Sequence, residues 1–272
     1  MAWPDELESE RWVDWSWYQN DGGLFHRPFD VDAFCAAHPD IQGAIIRACW
    51  PDGSIDQHYA HYYDGFTSNG LRVAAYLWPH PQQAIATVTA NWRRAVGDRV
   101  PRLIGYDYEE ASTFVGAPNS LVTSCMRASW EAAQLTFPGA IHMNYSRGSW
   151  LDSRVTGGSW MNEMRWWLAH YIYPIPTVAQ TATSFEEIDA RLPIDNGFTP
   201  YRGRILTTER VVAWQFTSRL AIVPRGTSDG DYLLKSFVQP IYGGPPAPPP
   251  AEKVPVEIRV PAGKTNVTVI ET

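Results

Sequence analysis

Short apolar runs in this chain alternate with segments of helical character, the pattern required by a mostly parallel sheet wrapped by helices. The strand-like runs are 12–15 (WVDW), 43–48 (GAIIRA), 72–77 (RVAAYL), 102–108 (RLIGYDY), 140–145 (AIHMNY), 166–171 (WWLAHY) and 211–216 (VVAWQF). Helix-like segments at 30–37, 55–69, 81–95 and 119–136 separate the first five, and Pro118 stands just ahead of the last helix, where a proline is well tolerated. The final third is richer in strand and loop than in helix. A chain of 272 residues has room for one α/β barrel, which takes roughly 250, and a short appendage. With 44% apolar and 19% charged residues it can bury a sizeable core.

From Gly243 the sequence turns to Gly-Gly-Pro-Pro-Ala-Pro-Pro-Pro-Ala-Glu-Lys, which should be extended and stiff. Three units are therefore expected: a barrel domain over 1–242, a Pro-rich linker over 243–253 and a short hairpin-like β tail over 254–272. The tail alternates apolar and polar residues around a Pro-Ala-Gly-Lys turn and is too short for a core of its own. It is expected to dock on a partner or on another copy.

Several function classes fall away. A net charge of −7 with no Lys/Arg cluster opposes nucleic-acid binding. No run reaches the roughly 18 to 20 apolar residues of a membrane span, and residues 1–11 read as no signal peptide. Cys35, Cys49 and Cys125 are too scattered for a disulfide framework or a metal site. His58 and His61 lack a third ligand at a recognisable spacing, so packing or surface roles are expected. Gly157-Gly-Ser-Trp-Met161 resembles a nucleophile elbow but ends in Met where Gly is required. The sequons at Asn144 and Asn266 mean little without a secretory signal. No phosphate loop or dinucleotide fingerprint is present, and neither a metal nor an organic cofactor is expected.

Asp107-Tyr108-Glu109 closes the fourth strand-like run. Residues i and i+2 of a strand share a face with Cα atoms roughly 6 to 7 Å apart, and in a parallel barrel the active site gathers at the C-terminal strand ends. Glycosidic hydrolysis needs such a pair of carboxyls in different environments. Taken alone, the spacing also fits a solvated strand end. Asp14, an isolated acid in an aromatic first strand, either caps the next segment or lines a polar cavity, because an unpaired buried carboxylate is costly.

In order along the chain, Asp14-Trp-Ser-Trp-Tyr-Gln19, Ile46-Arg47-Ala48, Gly70-Leu-Arg-Val-Ala-Ala-Tyr76, Asp107-Tyr-Glu109, Tyr145-Ser146, Trp167-Leu-Ala-His-Tyr171 and Trp214-Gln-Phe-Thr217 follow one pattern. It resembles the family 25 glycoside hydrolases, the lysozymes of phage endolysins and bacterial autolysins, over roughly the first 240 residues. Ala74 stands for the family's Gly, Phe216 for its common Tyr, and the region 172–210 is longer than expected. The resemblance implies a flattened TIM-like (β/α) barrel of eight strands with fewer than eight helices. It implies Glu109 as general acid, Asp107 as the group that orients the substrate's 2-acetamido group or stabilises the developing cation, and Asp14 in the same cleft. A fourth acid should follow the Trp-Gln strand; Asp231 is favoured, with Asp229 close behind. Tyr76, Tyr145, Trp167 and Trp214 would shape the sugar site, with Arg47 holding a carboxylate in it.

The activity so implied is cleavage of the β-1,4 bond between N-acetylmuramic acid and N-acetylglucosamine in bacterial peptidoglycan, by inversion or with help from the substrate's acetamido group. A phage enzyme is expected, held in the host cytoplasm until release to the wall or carried on the virion, where the tail would touch other virion proteins. The rival is a non-catalytic tail or wall-binding protein that kept the barrel.

Overall fold

The computed structural model describes residues 8–16, 28–110, 113–171, 184–187, 204, 206–223 and 226–243. The expected linker and tail, and Tyr18 and Gln19 of the opening motif, lie outside the described residues apart from Gly243. Eight strands close into a barrel in sequence order: β1 (Ser9–Trp15), β2 (Gly43–Arg47), β3 (Arg72–Leu77), β4 (Leu103–Asp107), β5 (Ile141–Ser146), β6 (Trp166–Ala169), β7 (Val211–Val223) and β8 (Gly226–Leu234). The first seven pair in parallel from neighbour to neighbour; β8 runs antiparallel to both β7 and β1 and closes the ring.

Each of the first five strands is followed by a helix: α1 (Val31–Ala37), α2 (Tyr59–Ser68), α3 (Ile85–Val96), α4 (Asn119–Thr136) and α5 (Gly148–Arg154). Beyond β6 the described residues hold only a helical turn at 185–187 and a short 3-10 turn at Thr208–Arg210 before β7, so the fading helical signal in the sequence matches the fold. Local chemistry sets several ends. The Asp30 carboxylate caps α1 by accepting from the Ala33 N–H at 3.0 Å. Gly97, at φ 54, supplies the left-handed turn that ends α3. The second helix starts four residues later than its sequence suggests, because Ile55 pairs with Cys49 in a β-bridge and Asp56 is held by Arg47.

Strands β2, β3 and β4 are buried along their whole length, as parallel strands covered on both faces must be. Period-two alternation divides the apolar residues into two cores. An outer layer between strands and helices holds Val13, Trp15, Ile46, Ile104, Trp166 and Trp214. The barrel interior holds Trp12, Ile45, Ala74, Leu103, Met143 and Leu233. Position 43 is glycine because the Trp12 ring fills its space: a Cβ there would lie 2.5 Å from the indole.

A last helix, α6 (Lys235–Tyr242), shuts the lower mouth of the barrel. Val238 enters the interior core, and the Tyr242 hydroxyl donates to the Val73 carbonyl at 2.6 Å. Beside it a buried Arg72–Glu10 ion pair closes the floor, and Arg72 also donates to the Gly243 carbonyl at 3.1 Å. Gly243 therefore lies at the end of the barrel where the parallel strands begin. Among the described residues no helix is long and apolar enough to cross a membrane.

Candidate active site

The same alternation that places Trp12, Ile45 and Leu103 inside the barrel carries the next inward residues to its upper mouth. There a cavity of about 270 Å³ is lined by Asp14 and Ser16 of the β1 end, Arg47 of β2, Tyr76 of β3 and Asp107 of β4. Glu109, Tyr145, Trp167, Gln215 and Asp229 complete the far wall, and Trp50 and Trp78 come from the loops after β2 and β3. Four carboxyls from three strands thus converge on one polar hollow. The isolated acid in the first strand lines a cavity rather than capping a segment.

Antiparallel pairing sets Asp229 opposite Asp14 across the β1–β8 seam. Gln215 links the two: its Nε2 donates to Asp14 Oδ2 and to Asp229 Oδ2, each at 3.3 Å. Its Oε1 accepts from the hydroxyls of Tyr145 at 2.8 Å and Tyr171 at 2.9 Å. On the opposite side Asp107 is 5% exposed, and its Oδ1 has no hydrogen-bond partner. Arg47 is fixed by the buried Asp56 carboxylate at 3.0 Å and lies 3.6 Å over the Trp50 ring.

Burial is the leading cause of every carboxyl shift here, because a charge removed from water costs more than the neutral acid. It raises Asp14, and the negative charges of Asp229, Asp231 and Asp107 raise it further, while Arg47 pulls it down. Asp107 is raised by burial and then by Glu109, again against Arg47. Glu109 is raised by burial and drawn down by Arg147. Burial and then the charge of Glu109 push Asp229 up to about 7. So crowded an array resists ionising all of its members together, which lets one cavity supply both an acid and a base form.

Of the residues singled out in the sequence, Asp14, Arg47, Tyr76, Asp107, Glu109, Tyr145 and Trp167 all line the cavity. Two do not. Trp214 faces outward from β7, packs with Phe216 and Tyr232, and donates its indole N–H to the His170 carbonyl at 2.8 Å. The neighbouring Gln215 takes the inward position, since adjacent strand residues face opposite ways. Asp231 is fully buried beneath the cavity, where its Oδ1 accepts from the Trp167 indole at 2.7 Å. The reason is strand direction: β8 descends from the mouth, so Asp229 is the upper inward acid and Asp231 the lower. Asp229 is accordingly the β8 acid at the cavity surface.

Residues 13–223 match the family described as Glycosyl hydrolases family 25.

The chain belongs to that family.

This family 25 chain is therefore a glycoside hydrolase, and solved structures agree on its fold. It is similar to a family 25 glycosyl hydrolase from Bacillus anthracis, at 14% identity and TM-score 0.60, covering 84% of this chain and 90% of that one. It is similar to the bacterial lysozyme from Streptomyces coelicolor, at 15% identity and TM-score 0.58 over 83% and 92% of the two chains. The catalytic domain of endolysin ply40, from bacteriophage P40 of Listeria monocytogenes, aligns at 13% identity and TM-score 0.52 over 87% and 98%. No curated protein matches the chain in sequence. This family 25 site also includes Ser16 and Gln215, which lie inside the motifs of the resemblance without having been assigned a role, and Trp50 and Trp78, which lie outside them. Counting in steps of two from Asp14 reaches Ser16, and stepping one past Trp214 reaches Gln215. Trp50 and Trp78 sit on loops, where periodicity carries no signal.

Proposed function

We propose that this family 25 hydrolase is an N-acetylmuramidase that cuts the β-1,4 bond between N-acetylmuramic acid and N-acetylglucosamine in bacterial peptidoglycan. The observation that carries the reading is the convergence of Asp14, Asp107, Glu109 and Asp229 on one aromatic-walled cavity at the barrel mouth. Glu109 is the proton donor: burial favours its neutral form, which can protonate the leaving glycosidic oxygen. Asp107 stands two residues away on the same face, and its open Oδ1 can accept the N–H of a 2-acetamido group and so hold it against the reacting carbon. Asp229 and Asp14 face the cation that develops as the bond breaks. Tyr76, Tyr145 and Trp167 supply flat apolar faces for a sugar ring, with Tyr145 and Trp167 ring centroids 4.5 Å apart. Asp231 acts behind them by holding the Trp167 indole.

Clearing of purified cell walls tests the reading. Wild type should clear them and Glu109→Gln should not; equal clearing by both removes Glu109 from the chemistry, and binding without clearing by wild type reduces the protein to a wall-binding module. Mass spectrometry of the digest should find muramic acid at the new reducing ends, whereas glucosamine there would make the enzyme a glucosaminidase. Likeness to the phage endolysin ply40 supports a phage lysin, released from the host cytoplasm to the wall or carried on the virion.

A further inference from the structure

Gln215 is 1% exposed and uses its whole amide. The amide is set with Oε1 accepting from the Tyr145 and Tyr171 hydroxyls and Nε2 donating to Asp14 and Asp229, an orientation that suits ionised carboxylates, which can only accept hydrogen bonds. Two phenols lock an amide whose two N–H groups then serve two carboxylates on different strands. That is more organisation than packing requires.

From this geometry we infer that Gln215 is a positioning residue that assigns the site's shared proton, holding Asp229 and Asp14 ionised so that the proton resides on Glu109. A carboxylate that accepts an N–H is favoured in its charged form. The negative charge of Glu109 acts on Asp229, and because like charges in one cavity repel, stabilising the charge on one favours the proton on the other. No bond to Gln215 forms or breaks; it acts only through the acids it touches. The remaining groups that face the array fix the sign of the effect. Asp107 on β4 and Asp231 on β8 add negative charge, while Arg47 on β2 and Arg147 after β5 add positive charge nearest Asp14, Asp107 and Glu109. Tyr76 on β3, like Tyr145 and Tyr171, is held neutral by burial. Among these, Gln215 is the neutral donor that bonds Asp229 while leaving Glu109 untouched.

The inference rests on Glu109 as proton donor and is tested beside it. Two variants separate proton assignment from simple support of the tyrosines. Gln215→Glu keeps the oxygen that Tyr145 and Tyr171 use but replaces the donors by a charge; Gln215→Met keeps the shape and removes all four bonds. In both, the acid limb of the kcat/KM–pH profile on soluble peptidoglycan fragments should move up by about one pH unit, roughly the effect of one lost hydrogen bond to a carboxylate. The Gln215→Glu shift should be at least as large. Profiles that keep the wild-type limbs and lose only height would overturn the proposal, since a purely structural residue lowers the whole curve. Carboxyl ¹³C NMR of the full wild-type chain needs neither variant: near pH 7 a protonated glutamate signal, absent from Glu109→Gln, is expected beside an ionised Asp229. A protonated Asp229 with an ionised Glu109 also overturns it. If Glu109→Gln remains active, the catalytic reading itself fails; if that variant is dead and the Gln215 profiles do not move, only this inference fails.

Discussion

At the scale of single residues the cavity separates acids that look equivalent in the sequence. Asp229 and Asp231 are two positions apart on one strand, yet one meets the cavity and the other meets the Trp167 indole. Replacing Asp229 with Asn should lower kcat/KM on wall fragments by about tenfold or more, while Asp231→Asn, which keeps an oxygen for the indole, should retain at least a tenth of wild-type activity. Loss in Asp231→Asn as deep as that in Glu109→Gln would instead place the lower acid in the chemistry. Glu109→Gln itself should cost about 10²- to 10⁴-fold in kcat, the usual worth of a positioned proton donor. These three rates, measured on one substrate, rank the acids.

At the scale of elements, strand direction and alternation did the placing. The descent of β8 from the mouth could not be read from Thr227-Ser-Asp-Gly-Asp-Tyr232, which has little apolar character and gave no strand signal. Only pairing on both sides, with β7 and β1, makes it a strand. Trp214 shows the same limit: a conspicuous aromatic in a site-like motif faces the outer layer, and the plain Gln215 beside it faces the cavity. The close approach of β1 and β2 depends on Gly43. Gly43→Ala would drive a methyl into the Trp12 ring and should cost about 1–3 kcal/mol, the range for overpacking a tight interior, measured by urea denaturation; an unchanged midpoint would mean that the indole moves aside freely.

At the scale of the whole molecule, a crowd of buried acids is bought at the expense of stability. An Asp like 229 titrates near 3.9 in the unfolded chain but at about 7 in the fold. Between those values the unfolded carboxyl is ionised while the interacting acids of the fold retain a shared proton. The stabilising contribution is therefore complete below about pH 4 and is lost as pH rises through about 7. Asp14, Asp107 and Asp231 are shifted the same way. The melting temperature should rise as pH falls from 8 to 5, and Asp229→Asn should raise it at pH 8 by about 2–4 °C, a common size for relief of a functional strain. Scanning fluorimetry that shows no gain in the variant would mean that Gln215 and Arg47 already offset the crowding.

The sequence by itself determined the βα repetition, the fading of helices in the last third, and the shared face of Asp107 and Glu109 at one strand end. Those features are written locally, in apolar periodicity and in short motifs whose spacing a strand converts directly into a shared face. Only the tertiary structure decided which β8 acid meets the cavity, that Gln215 and not Trp214 turns inward, and that loop residues Trp50 and Trp78 complete the wall. Each of these depends on how a segment is flanked by strands distant in sequence, since the direction of β8 and the curvature of the ring are set by pairing rather than by local composition.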